Sequence, residues 1–164
     1  QDRSSAASDV YKRQAFSGLF SPHWDETARG SLFGLTRFSN KSHLARAVLE
    51  SVAFQTYELL ESMEKDLDTK FDTLKVDGGM VANNLLMQFQ SDLLDKSIQS
   101  QEINEITALG VGVASYLYVM DLPLSSMGNY ITSSKTWNPN MSNETRINSL
   151  ESWYKAIEKA KNWL

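Results

Sequence analysis

Leu74-Lys75-Val76-Asp77-Gly78-Gly79-Met80-Val81-Ala82-Asn83 is the stretch whose reading decides the fold. A strand-like run, Leu74-Lys75-Val76, ends in an acidic residue and two glycines. A helix-like run, Asn84-Leu85-Leu86-Met87-Gln88-Phe89, follows at once. A strand that turns through glycine into a helix sets bare backbone N–H groups beside the positive end of the helix dipole. That arrangement suits a nucleotide phosphate or adenosine. Glycine tolerates positive φ and lets a ligand approach the backbone closely. Asn83, in the helix-capping position, could offer its amide to a purine or ribose. The same residues also fit a plain strand–helix turn capped by Asn83, and alone they leave both readings open.

Outward from this turn, residues 71–76 read as a strand and residues 82–94 as a helix burying Leu85, Leu86, Phe89 and Leu93. Residues 96–102 read as a short strand, and a further helix is predicted over 107–120. Its small residues Ala108, Gly110, Gly112, Ala114 and Ser115 predict close backbone packing against the sheet or a ligand, since glycine weakens an isolated helix. The strand–helix–strand–helix order predicts an α/β layer architecture.

Upstream, Ser39 or Asn40 starts a helix whose apolar face is expected at Leu44, Ala47, Val48, Ser51, Val52, Leu59 and Met63. Before it, Phe16-Ser17-Gly18-Leu19-Phe20 and Gly30-Ser31-Leu32-Phe33-Gly34-Leu35 read as two strands or a looped hairpin around Pro22-His23-Trp24-Asp25-Glu26-Thr27. Downstream, residues 122–140 read as a loop-rich connection. An amphipathic helix over 144–164 carries Ile147, Leu150, Tyr154, Ile157 and Leu164 on one face, flanked by Trp153 and Trp163. Residues 1–14 lack apolar periodicity, and Ser4-Ser5-Ala6-Ala7-Ser8-Asp9-Val10-Tyr11-Lys12-Arg13-Gln14 resembles a translated adaptor. They are expected to be a non-native or disordered leader, with the folded domain over 15–164.

The 164 residues suffice for one domain with a core, and 41% hydrophobic with 22% charged content marks a globular chain. A net charge of −4 without a basic run argues against nucleic acid as a partner. The chain has no cysteine, which excludes disulfides, a thiolate metal site and a cysteine nucleophile. Its longest apolar runs are too short to span a membrane, and a cytoplasmic setting fits best. His23 and His43 stand twenty positions apart with no carboxylate motif around them, so no metal site is expected.

Gly30-Ser31-Leu32-Phe33-Gly34-Leu35, seven further residues, then His43-Leu44-Ala45-Arg46-Ala47-Val48-Leu49-Glu50 resembles the second signature of the FGGY carbohydrate kinases. Ala15-Phe16-Ser17-Gly18-Leu19-Phe20-Ser21-Pro22-His23-Trp24 with Ala28-Arg29-Gly30 is similar, more narrowly, to the glycerol-phosphorylating branch of that family. Asp77-Gly78-Gly79-Met80, Asn83 through Asp92, and Trp137-Asn138-Pro139-Asn140-Met141 extend the likeness over residues 15–164. The resemblance implies a ribonuclease-H-like, actin-like ATPase domain with a mixed sheet flanked by helices. It implies the C-terminal, nucleotide-binding part of a two-domain kinase, with ATP and Mg2+ as cofactors and a possible homo-oligomer. Glycerol would be held by an N-terminal domain absent from this chain.

The family's adenosine-contacting motif falls on Gly78, Gly79 and Asn83. One departure is Ile106, where the family usually carries a threonine before Thr107-Ala108-Leu109-Gly110, and small packing changes are expected there. No catalytic residue is assigned. Asp25, Asp77, Asp92 and Glu50 qualify as a proton acceptor by type alone, and the family's catalytic carboxylate belongs to the absent domain. Phe20 and Trp24 could line a cleft or join the core. Another sugar or polyol kinase of the family, and a nucleotide-binding module without catalysis, remain as alternatives.

Overall fold

The structure, a computed structural model, describes residues 18–101, 106–130 and 133–162. The leader expected over 1–14, Phe16 and Ser17, Asn104 and Glu105, and Trp163 and Leu164 lie outside the described residues.

Helix α1 (Lys41–Leu67) begins where Asn40 closes a capping box. Asn40 Oδ1 accepts from the N–H of Ser42 at 2.9 Å and of His43 at 3.3 Å, while His43 Nδ1 accepts from the Asn40 N–H at 3.2 Å. The helix ends at Asp68, in the left-handed conformation with φ 48°. Its buried stripe is Ser51, Ala53, Phe54, Glu58, Leu60 and Glu64. Of the expected face, Ser51 is buried, whereas Leu44, Leu59 and Met63 are exposed. The stripe is displaced because two buried carboxylates find side-chain partners outside the helix. Glu58 Oε1 lies 2.7 Å from His23 Nε2, and Glu64 Oε1 lies 2.8 Å from Lys96 Nζ. A helical pattern alone shows no such partner.

Strand β1 (Thr73–Val76) pairs in parallel with β2 (Ser97–Gln101). Helix α2 (Asn84–Leu94) makes the crossover between them. It buries Leu86, Phe89 and Leu93 as expected, but Leu85 is 46% exposed because the buried side has turned toward Met87 and Gln90. A third strand, β3 (Ser133–Trp137), pairs antiparallel with β2 and completes a mixed three-stranded sheet in the order β1-β2-β3. Sequence reading placed this segment in a loop. Ser133-Ser134-Lys135-Thr136-Trp137 offers one large apolar residue, and the strand exists through its pairing with β2 rather than through its own pattern.

Helix α3 (Ile106–Val119) and α4 (Asn143–Ala160) complete the α-helices among the described residues. The close packing on the sheet expected at Gly110 and Gly112 is not found, since a methyl group on either would meet no described atom within 4 Å beyond its own stretch of helix. Ser142 caps α4, its Oγ accepting from the Thr145 N–H at 3.2 Å. On α4, Ile157 is buried and Leu150 and Trp153 pack on the core, but Ile147 and Tyr154 are exposed. The expected hairpin upstream of α1 reduces to one antiparallel bridge between Leu19 and Asp25. Residues 30–35 form no strand, and Leu32, Phe33 and Leu35 are exposed.

The core joins α1, α2, β2 and β3 through Phe54, Leu86, Phe89, Leu93, Ile98 and Trp137. Phe54 stacks on Trp153 with centroids 4.9 Å apart and meets the edge of Phe89 at 5.6 Å. Ser91 Oγ lies 2.7 Å from the carbonyl oxygen of Lys96 and 3.1 Å from that of Trp137, tying α2 to both strands at one end of the β2–β3 pair. This packing fixes the start of α2 against the C-terminal end of β1.

Candidate functional site

The chain leaves β1 at Val76 and reaches Gly78, whose φ of 89° and ψ of 175° fall where only glycine is comfortable. Gly79–Ala82 then form one turn of 3-10 helix. The Gly78 carbonyl accepts from the Val81 N–H at 3.1 Å, and the Met80 carbonyl from the Asn83 N–H at 3.0 Å. Asn83 closes the turn and opens α2: its Oδ1 accepts from the Leu86 N–H at 3.1 Å. The structure thus brings Gly78, Gly79 and Asn83 onto one continuous turn, at its entry, its first residue and its exit.

One side of this turn is anchored and the other is open. Met80 and Val81 pack against the core. Gly78 and Gly79 are exposed, and a Cβ on either would meet no described atom within 4 Å. The backbone itself demands glycine at Gly78, where φ is positive. At Gly79 no fold constraint is visible, so the missing side chain leaves an open approach to the backbone. The N-terminus of α2 adds its positive dipole end beside this opening.

Sequence reading missed two neighbours of the turn. Lys135 Nζ donates a hydrogen bond to Asn84 Oδ1, at the first residue of α2. The strand register places Lys135 opposite Ser100, which in turn lies opposite Val76 at the end of β1. Only the pairing of β3 reveals this proximity.

The other candidates occupy structural places. Asp25 accepts at Oδ1 from the Thr27 hydroxyl at 2.7 Å and N–H at 2.8 Å, and at Oδ2 from the Asn162 N–H at 2.9 Å. The Thr27 hydroxyl, then the Asn162 N–H, hold its carboxyl at a pKa of about 2. Asp92 accepts from Gln88 and from the Asn140 N–H. Glu50 pairs with Arg46 on the same helix. Asp77 is exposed beside the glycine turn. His43 caps α1, and His23 sits on a loop with its side chain mostly covered beside Glu58. Phe20 and Trp24 are exposed rather than in the core. Among the described residues, no three His, Cys, Asp or Glu side chains are grouped to hold a metal. No described helix is long and apolar enough to cross a membrane.

Residues 1–116 match the family model of the FGGY family of carbohydrate kinases, C-terminal domain, and the chain belongs to that family. A curated glycerol kinase of Nocardia farcinica (strain IFM 10152) is 49% identical over 161 residues, a match covering 94% of this chain and 32% of that protein. The crystal structure of Plasmodium falciparum glycerol kinase with ADP superposes with a TM-score of 0.81 at 32% identity, over 95% of this chain and 33% of that one. A ligand-bound xylulose kinase from Lactobacillus acidophilus shares the fold, with a TM-score of 0.69 at 24% identity over 97% of this chain and 33% of that one. The ribonuclease-H-like, actin-like ATPase fold expected from the sequence is thereby shown. The chain spans about a third of the length of these relatives.

Proposed function

We propose that this chain is the ATP-binding C-terminal segment of a cytoplasmic glycerol kinase, which transfers the γ-phosphoryl group of ATP to a terminal hydroxyl of glycerol and yields glycerol 3-phosphate. The observation that carries this reading is the Gly78–Asn83 turn, open on one side and rigid on the other, in a chain similar to a glycerol kinase whose crystal structure was determined with ADP. Gly78 and Gly79 offer the nucleotide a backbone edge with no Cβ in the way. Asn83, its Oδ1 engaged by the Leu86 N–H, would offer its amide N–H groups to the nucleotide.

Phosphoryl transfer rests on positioning and charge stabilisation more than on covalent chemistry. In this reading the chain's part is to seat and orient ATP. Mg2+, implied by the family, would neutralise phosphate charge when bound. The described residues offer it no clustered set of His, Asp or Glu ligands. The base and the glycerol contacts belong to the N-terminal part of the kinase, and closure between the parts completes the site. The chain alone is then catalytically inactive.

Two measurements test this. In a full-length kinase where residues 18–162 replace the matching segment of the Nocardia farcinica enzyme, Gly79→Val should raise the KM for ATP by about tenfold or more. An unchanged ATP dependence in a folded variant would refute the nucleotide site. Joined to its own upstream reading frame, the protein should phosphorylate glycerol in preference to xylulose and ribulose. Preference for another of these would keep the kinase class and discard glycerol.

A further inference from the structure

We infer that Lys135 is a positioning residue for the nucleotide turn, acting through Asn84; this rests on the reading of Gly78–Asn83 as the nucleotide seat. Lys135 stands on the third strand, far along the chain from the turn. The sheet register brings it into one row with Ser100 and Val76, at the end of β1 where the turn begins. Its ammonium lies 4.9 Å from the centroid of the Trp137 ring. Trp137 is buried, and its carbonyl oxygen is held by Ser91, so the ring is a fixed platform. From that platform Nζ donates to Asn84 Oδ1.

Asn84 is the first residue of α2 and adjoins Asn83, the residue proposed to face the nucleotide. Lys135 therefore ties the end of the turn to a rigid part of the core. No carboxylate among the described residues forms an ion pair with Lys135. A cation beside a helix N-terminus is unfavourable toward that helix's dipole. The hydrogen bond to Asn84 and the indole face are what hold it there, and both orient the start of α2. Lys135 is exposed, so its loss leaves no cavity and no buried unpaired group.

The test uses the full-length kinase carrying this chain, with ADP as the titrant and Lys135→Ala, Asn84→Ala, the double variant and Lys135→Arg compared. Each alanine variant should weaken ADP binding by about three- to tenfold. The double variant should be no weaker than the worse single one, because both residues act through one contact. Lys135→Arg should restore most of the affinity. The KM for glycerol should not move, and the melting temperature should shift by less than about 2 °C. Additive losses would overturn action through Asn84, as would a Lys135→Ala variant with unchanged ADP affinity while Gly79→Val weakens it. If Gly79→Val also leaves ADP binding intact, the nucleotide reading itself fails, and this inference with it.

Discussion

Asn83 Oδ1 accepts the Leu86 N–H at 3.1 Å, so the residue proposed to meet the nucleotide is also the N-cap of α2. One side chain carries two duties, and two substitutions separate them. Asn83→Ser keeps a capping oxygen but loses the amide N–H donors. Asn83→Ala loses both and should cost about 1 kcal/mol of stability. Both variants should weaken nucleotide binding, and only the alanine variant should melt earlier. Parallel melts and ADP titrations check this; equal melting losses would show that the cap contributes nothing.

Gly78 and Gly79 are neighbours with different reasons to be glycine. Gly78 holds φ 89° and ψ 175°, so Gly78→Ala should cost about 1–3 kcal/mol through backbone strain. Gly79 has no positive φ and open space beyond its Cα, so Gly79→Ala should leave stability within about 0.5 kcal/mol. Its nucleotide affinity should nonetheless fall, because the methyl group occupies the ligand's approach. Denaturant unfolding with and without ADP distinguishes the two. A Gly79→Ala variant destabilised without ligand would place the constraint in the fold instead.

What the sequence revealed and what it hid divide along the reach of each interaction. Asn40 and Asn83 cap helices through contacts within three residues, so both helix starts and the glycine turn were legible. The displaced stripe of α1 was not, because Glu58 and Glu64 are buried only by virtue of His23 and Lys96 on other elements. Strand β3 was hidden for the same reason, and with it the place of Lys135 beside Asn84. The family signature at residues 30–50 was legible as text, yet its first half forms no strand and its leucines lie exposed.

Trp153 gives the core a ring stacked on Phe54 at an interplanar angle of 5°, and its buried Nε1 has no hydrogen-bond partner among the described residues. An unpaired buried donor weakens a fold, whereas the stacked ring supports it. Trp153→Phe should therefore keep stability within about 1 kcal/mol, since the aromatic contact survives and the orphan donor disappears. Trp153→Ala should lose about 2–3 kcal/mol, below the loss at a fully buried aromatic because Trp153 is only partly covered. Equal losses in the two variants would mean that the indole donor has a partner in solution.

Glu64 fixes the acid limb of stability. The hydrogen bond from Lys96, then the Phe71 N–H and Lys70, hold its carboxyl at about 2, against an ordinary value of 4.5. A carboxyl whose folded pKa is depressed contributes stability that is fully present above its unfolded pKa and is lost as pH falls through the folded one. Its contribution should therefore be intact above about pH 4.5 and vanish progressively toward pH 2. Asp25, held near 2 from an ordinary 3.8, adds to the same limb from the loop that meets Asn162. Glu64→Gln should lower stability at neutral pH, where it leaves the largely buried Lys96 ammonium without its carboxylate. It should also flatten the decline between pH 4.5 and 2. Unfolding free energies measured across that range check both effects. A Glu64→Gln variant with the wild-type slope would assign the acid sensitivity to other carboxyls.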